Sequence, residues 1–157
     1  MNIERSQDKT PLNHSDGVQK AIGAVSVARL RRSVEALAVP RHFTHEPEAN
    51  KKARDWIAGE LRGLGYTVAF QGKCDNVVAH PTHAKPGRTI LLGAHYDSVP
   101  HCPGADDNAS AVAVCLECAH VLHDLRPNPI TVVLFNREED GLLGSRDFVQ
   151  NGLYTLP

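Results

Sequence analysis

Two apolar runs constrain the fold of this chain most: Thr89–Ala94 and Ile130–Phe135. Neither alternates with polar residues, as a strand with one wet face would. Such continuous runs suit strands covered on both faces, as in a parallel sheet with helices on either side. Between them the stretch Ala109–Leu125 is nearly all apolar and long enough for a helix. Its polar residues Glu117, His120 and Asp124 fall at i, i+3 and i+7, which predicts a single exposed stripe. Strand, loop, helix and strand in that order form a βαβ crossover, expected to be right-handed.

The rest of the chain supports an α/β domain. Val27, Leu30, Val34 and Leu37 recur at three- and four-residue steps and predict a helix that Pro40 closes. Ala53, Trp56, Ile57, Leu61 and Leu64 form a second helical stripe, with Gly65 at its C-terminal end. Tyr66–Phe70 and Asn76–Ala79 read as short strands around Gly72, placed to pair as a hairpin. Ser145–Gln150 offers one more short helix. Residues 1 to about 22 are polar and aperiodic and read as a disordered arm, leaving 23–157 as the folded domain. There is no internal repeat. The expected architecture is three layers, helix/sheet/helix, around a mixed, largely parallel sheet.

Composition excludes some functions. The 157 residues carry a formal net charge of −1, and no run of Lys or Arg exceeds two. Neither nucleic acid nor an anionic membrane surface is therefore an expected partner. No apolar run reaches the length of a membrane span. Arg29, Arg31 and Arg32 follow the apolar patch Ala21–Ala28, whereas a secretory signal carries its charges before such a patch. The expected location is the cytoplasm. Cys74, Cys102, Cys115 and Cys118 are too few for a disulfide framework and are expected to be reduced.

Three segments carry chemistry. His95-Tyr96-Asp97 follows the first buried strand, Gly104-Ala105-Asp106-Asp107-Asn108 precedes the long helix, and Glu138-Glu139 follows the second strand. Ligands of open α/β sheets gather beyond the carboxyl ends of the strands, so the three should converge. Imidazole and carboxylate are ordinary zinc ligands. A carboxylate can bridge two metals, and a paired centre can activate water and polarise a carbonyl. A further Glu outside the metal shell can take the proton from that water. His95 with Asp97 has the form of a ligand and the carboxylate that orients its ring.

LLGAHYDSV, PGADDNAS and FNREEDGLLGS resemble, in order and spacing, the zinc aminopeptidases of peptidase family M28, the similarity running from about Val27 to Val149. The resemblance implies a zinc exopeptidase fold and a two-zinc centre acting on peptides with a free N-terminus. It implies that His95 binds one zinc, Asp107 bridges both, Glu139 binds the other, Glu138 is the general base and Asp97 supports His95. It also implies a cis peptide between Asp107 and Asn108. Ala111 departs from the family, which usually has Gly there. The family further supplies one more carboxylate and one more histidine ligand at positions beyond Pro157. The expectation is therefore a partial exopeptidase domain in which each zinc keeps two protein ligands.

The same residues also have plainer readings. His95 alone would as readily be a structural histidine at a strand end, Glu138-Glu139 a solvated pair, and Asp107 an N-cap. Cys115 and Cys118 on one helix read as packing, His80-x-x-His83 as an exposed loop pair, and His120 and His123 as surface residues. His101 and Cys102 fall on the loop beside the expected site. The rival enzymatic readings on this fold are a zinc carboxypeptidase or deacylase and a glutaminyl cyclase. The rival outside enzymology is a non-catalytic remnant that binds a peptide or a partner.

Overall fold

The computed structural model describes residues 14–82, 90–123 and 130–152. Helix α1 spans His14–Ala24, so the segment expected as an arm is helical over its last part, and residues 1–13 lie outside the described residues. Helix α2, Val27–Leu37, opens on Ser26, whose hydroxyl accepts the Arg29 amide at 3.3 Å. That satisfies one of the free amides of the first turn. Helix α3, Pro47–Gly63, starts on a proline, with Glu48 in its first turn and Arg62 in its last, matching the helix dipole. Its buried face is Asn50, Ala53, Ile57, Ala58 and Leu61, and Gly65, at φ +83°, follows its end.

Strands β1 (Tyr66–Gln71) and β2 (Asn76–Pro81) form the expected hairpin, from Tyr66 opposite Pro81 to Gln71 opposite Asn76. Strand β3 is Ile90–His95, helix α4 Ala111–Leu122, strand β4 Ile130–Phe135 and helix α5 Leu143–Asp147. The sheet order is β1-β2-β4-β3. The β3–β4 pair is parallel, as the crossover requires, and the other two pairs are antiparallel. The sheet is thus mixed as expected, but with one parallel pairing among the described strands.

One face of the sheet packs against α2, α3 and α4. Val77, Ala79, Ile130, Val132 and Leu134 meet Leu37, Ile57, Leu61, Val112 and Leu116 there. On the other face Val78 and Val133 lie under Phe148, with Phe135 beside them. β4 is buried from Ile130 to Leu134, with Phe135 partly buried, close to the prediction. β3 is not: Ile90 and Leu91 are exposed, because β3 is the edge strand and pairs only with β4 among the described residues.

The predicted exposed stripe on α4 also differs. Glu117 is buried. Its carboxylate accepts from the Arg29 guanidinium at 2.7 and 2.8 Å and from the Ser26 amide at 2.6 Å. It ties α4 to the start of α2, and the Arg29 hydrogen bond holds its carboxyl below the usual range. Helical periodicity alone cannot separate a polar residue facing water from one facing a partner helix. Asp124 lies outside the described residues. Among the described residues no helix is long and apolar enough to cross a membrane.

The topology sets up one edge. In the parallel pair His95 stands opposite Phe135, so the segments leaving β3 and β4 emerge side by side at the carboxyl end of the sheet.

Candidate metal centre

His95, the last residue of β3, points its ring between the two following segments. Its Nε2 lies 3.0 Å from Asp107 Oδ1 and 4.0 Å from Glu138 Oε2. Its Nδ1 lies 3.4 Å from Asp97 Oδ1, within ion-pair reach but beyond a formed hydrogen bond. Asp97 is fully buried. Its two carboxylate oxygens accept the Glu138 and Glu139 amides, each at 3.2 Å. One side chain thus both backs the histidine and holds the backbone of the glutamate pair. The five residues expected to carry the site come together.

Ligand atoms of His95, Glu138 and Glu139 all lie within 4.8 Å of one another. Asp107 joins through His95, and its side chain is mostly exposed (74%). The Asp107–Asn108 peptide is cis, as the sequence resemblance implied. Asp107 and Asn108 leave helical φ/ψ, and it is Asn108, not Asp107, that caps α4: its Oδ1 accepts the Ala111 amide at 3.3 Å. Gly104 permits this loop. It sits at φ +54°, and a Cβ there would fall 2.5 Å from the Asp107 carbonyl oxygen.

The electrostatics are those of a site built for a cation. Burial acts against a charged His95, but Asp97, Glu138 and Asp107 outweigh it and the imidazole pKa is raised. Burial and then the charge of Asp107 raise the Glu139 carboxyl, with Glu138 and Asp97 adding to it. Glu139 Oε1 and His95 Nδ1 are buried without a hydrogen-bond partner, a condition that native structures seldom tolerate. Nε2 and the Asp107 carboxylate are both acceptors once Nδ1 carries the ring proton, so their 3.0 Å approach needs a proton or a metal ion between them. Two ligand atoms on one tetrahedral zinc stand about 3.3 Å apart. The donor set therefore fits zinc.

Against this geometry, the comparisons with known proteins are specific. The profile of peptidase family M28 matches residues 76–155, about half of the chain, and covers all three segments. The chain belongs to peptidase family M28. A probable zinc metalloprotease of Pyricularia oryzae is 33% identical over 85% of this chain and 34% of its own length. Aminopeptidase YwaD of Bacillus subtilis is 41% identical over 47% of this chain and 16% of its own. The chain thus spans about a third or less of these M28 relatives. Among solved structures, LapB of Legionella pneumophila superposes with a TM-score of 0.79 at 26% identity, over 92% of this chain and 44% of that one. A glutaminyl cyclase of Macrostomum lignano does so with 0.65 at 25% identity, over 83% and 44%.

Other residues around the candidate site had no pattern in the sequence to mark them. Arg41 is fully buried, though it reads as the residue after a helix-ending proline. Asn50 on α3 and Asn136 after β4 exchange reciprocal amide bonds at 3.0 Å. Asn76 Oδ1 accepts the Asn136 amide at 3.0 Å. His42, also buried, lies 3.4 Å from Asp140, and His42, His45 and His101 stack edge to face. His101 bonds Glu46 at 3.0 Å and is otherwise exposed; Cys102 is exposed beside it.

The remaining sequence candidates stand apart from the centre. Cys115 is buried, and burial pushes its thiol up to about 11; packing is its role, as expected. His80 belongs to β2 rather than to an exposed loop, and His83 lies outside the described residues. His120 is exposed, and His123 stacks near Tyr66.

Proposed function

We propose that this site hydrolyses the first peptide bond of peptides with a free N-terminus, as a zinc aminopeptidase does. The observation that carries the reading is the convergence of His95, Glu138 and Glu139 within 4.8 Å, with Asp107 on the other side of the histidine.

In this reading His95, Asp107 and Glu139 would be the residues that hold zinc. The chemistry zinc supplies in such a centre is activation of water and polarisation of the scissile carbonyl. Asp97 fixes the His95 ring so that Nε2 faces the centre, and it fixes the backbone that presents both glutamates. Glu138, half-exposed at the mouth of the site, accepts the proton from the attacking water and returns it to the leaving amine.

The glutaminyl cyclase fold is shared, but Asp107-Asn108-Ala109-Ser110 follows the aminopeptidase pattern, and the aminopeptidase reading is preferred. The test is zinc content and hydrolysis of an amino-acid anilide, measured for the native chain and for Glu138→Gln. The variant should keep its zinc and lose at least 100-fold in kcat. Turnover that survives the change would remove Glu138 as the base. Cyclisation of an N-terminal glutaminyl peptide without anilide hydrolysis would favour the cyclase, and zinc content unchanged by His95→Ala would remove the centre itself.

A further inference from the structure

Arg41 is the largest fully buried side chain of the described residues, and among them no carboxylate forms an ion pair with it. Its guanidinium donates instead to main-chain carbonyls from three parts of the chain. Nε donates to Tyr96 at 2.6 Å; one terminal nitrogen donates to Leu37 and Pro103 at 2.6 Å and to Val39 at 3.2 Å; the other donates to Gly104 at 3.0 Å. Its own amide donates to Ser98 Oγ at 3.0 Å, and its carbonyl accepts Asn50 Nδ2 at 2.8 Å.

The acceptors are placed unevenly. Tyr96 lies between His95 and Asp97, and Pro103 and Gly104 begin the turn that presents Asp107. Leu37 and Val39 belong to the end of α2. A planar, always-charged fork with five donors can bridge such a set, and a lysine ammonium cannot. A buried cation is expensive unless it is hydrogen-bonded, and here Nε and the second terminal nitrogen keep their acceptors, Tyr96 and Gly104, only while the two metal-bearing loops keep this spacing. Asn50 extends the contact to the third segment through Asn136.

We infer that Arg41 is a positioning residue for the metal centre: it sets the distance between the segment carrying His95 and Asp97 and the segment carrying Asp107. The inference rests on the zinc reading above for its consequence, but its geometry can be tested without metal. Its charge and its geometry also predict opposite effects. As a cation near the site it weakens zinc binding, so a purely electrostatic role would make the neutral Arg41→Met bind zinc more tightly. A positioning role makes both Arg41→Lys and Arg41→Met bind more weakly.

The experiment is amide hydrogen exchange on the metal-free chain, followed by zinc titration against a chromophoric chelator. Arg41→Lys should lose at least tenfold protection at the Glu138, Glu139 and Ala109 amides, while hairpin amides such as Val68 and Ala79 keep theirs. Its zinc affinity should fall at least tenfold. Glu117→Gln, a destabilising change far from the loops, should leave zinc affinity within twofold. Unchanged exchange at the site amides, or a uniform loss across the sheet, would overturn the inference. So would tighter zinc binding by Arg41→Met. If Arg41→Lys does not fold, Ser98→Ala is read in the same way, with at least a threefold loss of site protection expected and no change contradicting it. If the native chain takes up no zinc, the zinc reading fails while the exchange comparison still decides the role of Arg41.

Discussion

Asp97 concentrates three tasks in one carboxylate. It backs His95 at 3.4 Å and accepts the amides of both glutamates at 3.2 Å. An asparagine in its place keeps one acceptor oxygen and turns a donor toward the second amide. Asp97→Asn should therefore lower zinc affinity by about 10- to 100-fold, read by chelator competition; an affinity within twofold of the native chain would contradict the assignment. His95, Asp107, Glu138 and Glu139 could be singled out in the sequence only together, because two of their segments follow buried strands, the third opens the connecting helix, and the three resemble a family pattern in order and spacing. Arg41, Asn50 and Asn136 were not, since a buried polar residue satisfied by main chain leaves no periodic trace.

At the scale of elements, the joint between α2 and α4 rests on Glu117 and Arg29. The predicted exposure of Glu117 failed because its helix is covered there by another helix, and a hydrogen-bonded charge can face a helix as well as water. Its carboxyl titrates below the ordinary range, chiefly through the Arg29 hydrogen bond and against the cost of burial. A depressed carboxyl contributes stability that is present above the unfolded pKa, about 4.3, and is lost as pH falls through the lower folded value. Glu117→Gln should thus cost about 1–2 kcal/mol at pH 7, at the low end for a buried charged pair because Arg29 is a third exposed. Urea denaturation at pH 7 and pH 3 checks this: the difference between the two proteins should shrink at the lower pH. A difference independent of pH would show that packing, not the ion pair, joins the helices. Helices α2 and α3 followed from periodicity, the hairpin from two short strands around Gly72 and β4 from its continuous apolar run, whereas the edge position of β3 did not follow, because a run of apolar residues does not reveal how many neighbours a strand has.

For the whole molecule, the parallel pair β3–β4 is the decisive element, since it brings His95 and the glutamate pair to one edge of the sheet. The helix, sheet and helix architecture was legible from that crossover. The antiparallel majority of the described pairings follows from the hairpin, which adds β1 and β2 on the side of β4 away from β3. Metal binding should stabilise this arrangement as a whole. At a zinc concentration 100 times the dissociation constant the gain is about 2.7 kcal/mol, enough to raise the melting temperature by on the order of 10 °C in a chain of this size. Differential scanning calorimetry with and without zinc reads this directly, and a melting temperature that zinc does not raise would contradict it.

The proposed zinc centre stands on His95, Asp107 and Glu139. The most direct test is a calorimetric titration of zinc into the metal-free chain, run beside His95→Ala. Because other histidines stand nearby at His42, His45 and His101, binding alone does not decide the question; its dependence on His95 does. Saturable binding that falls at least tenfold in affinity in His95→Ala is expected. Binding of equal affinity in the two proteins, or none in the native chain, would contradict it.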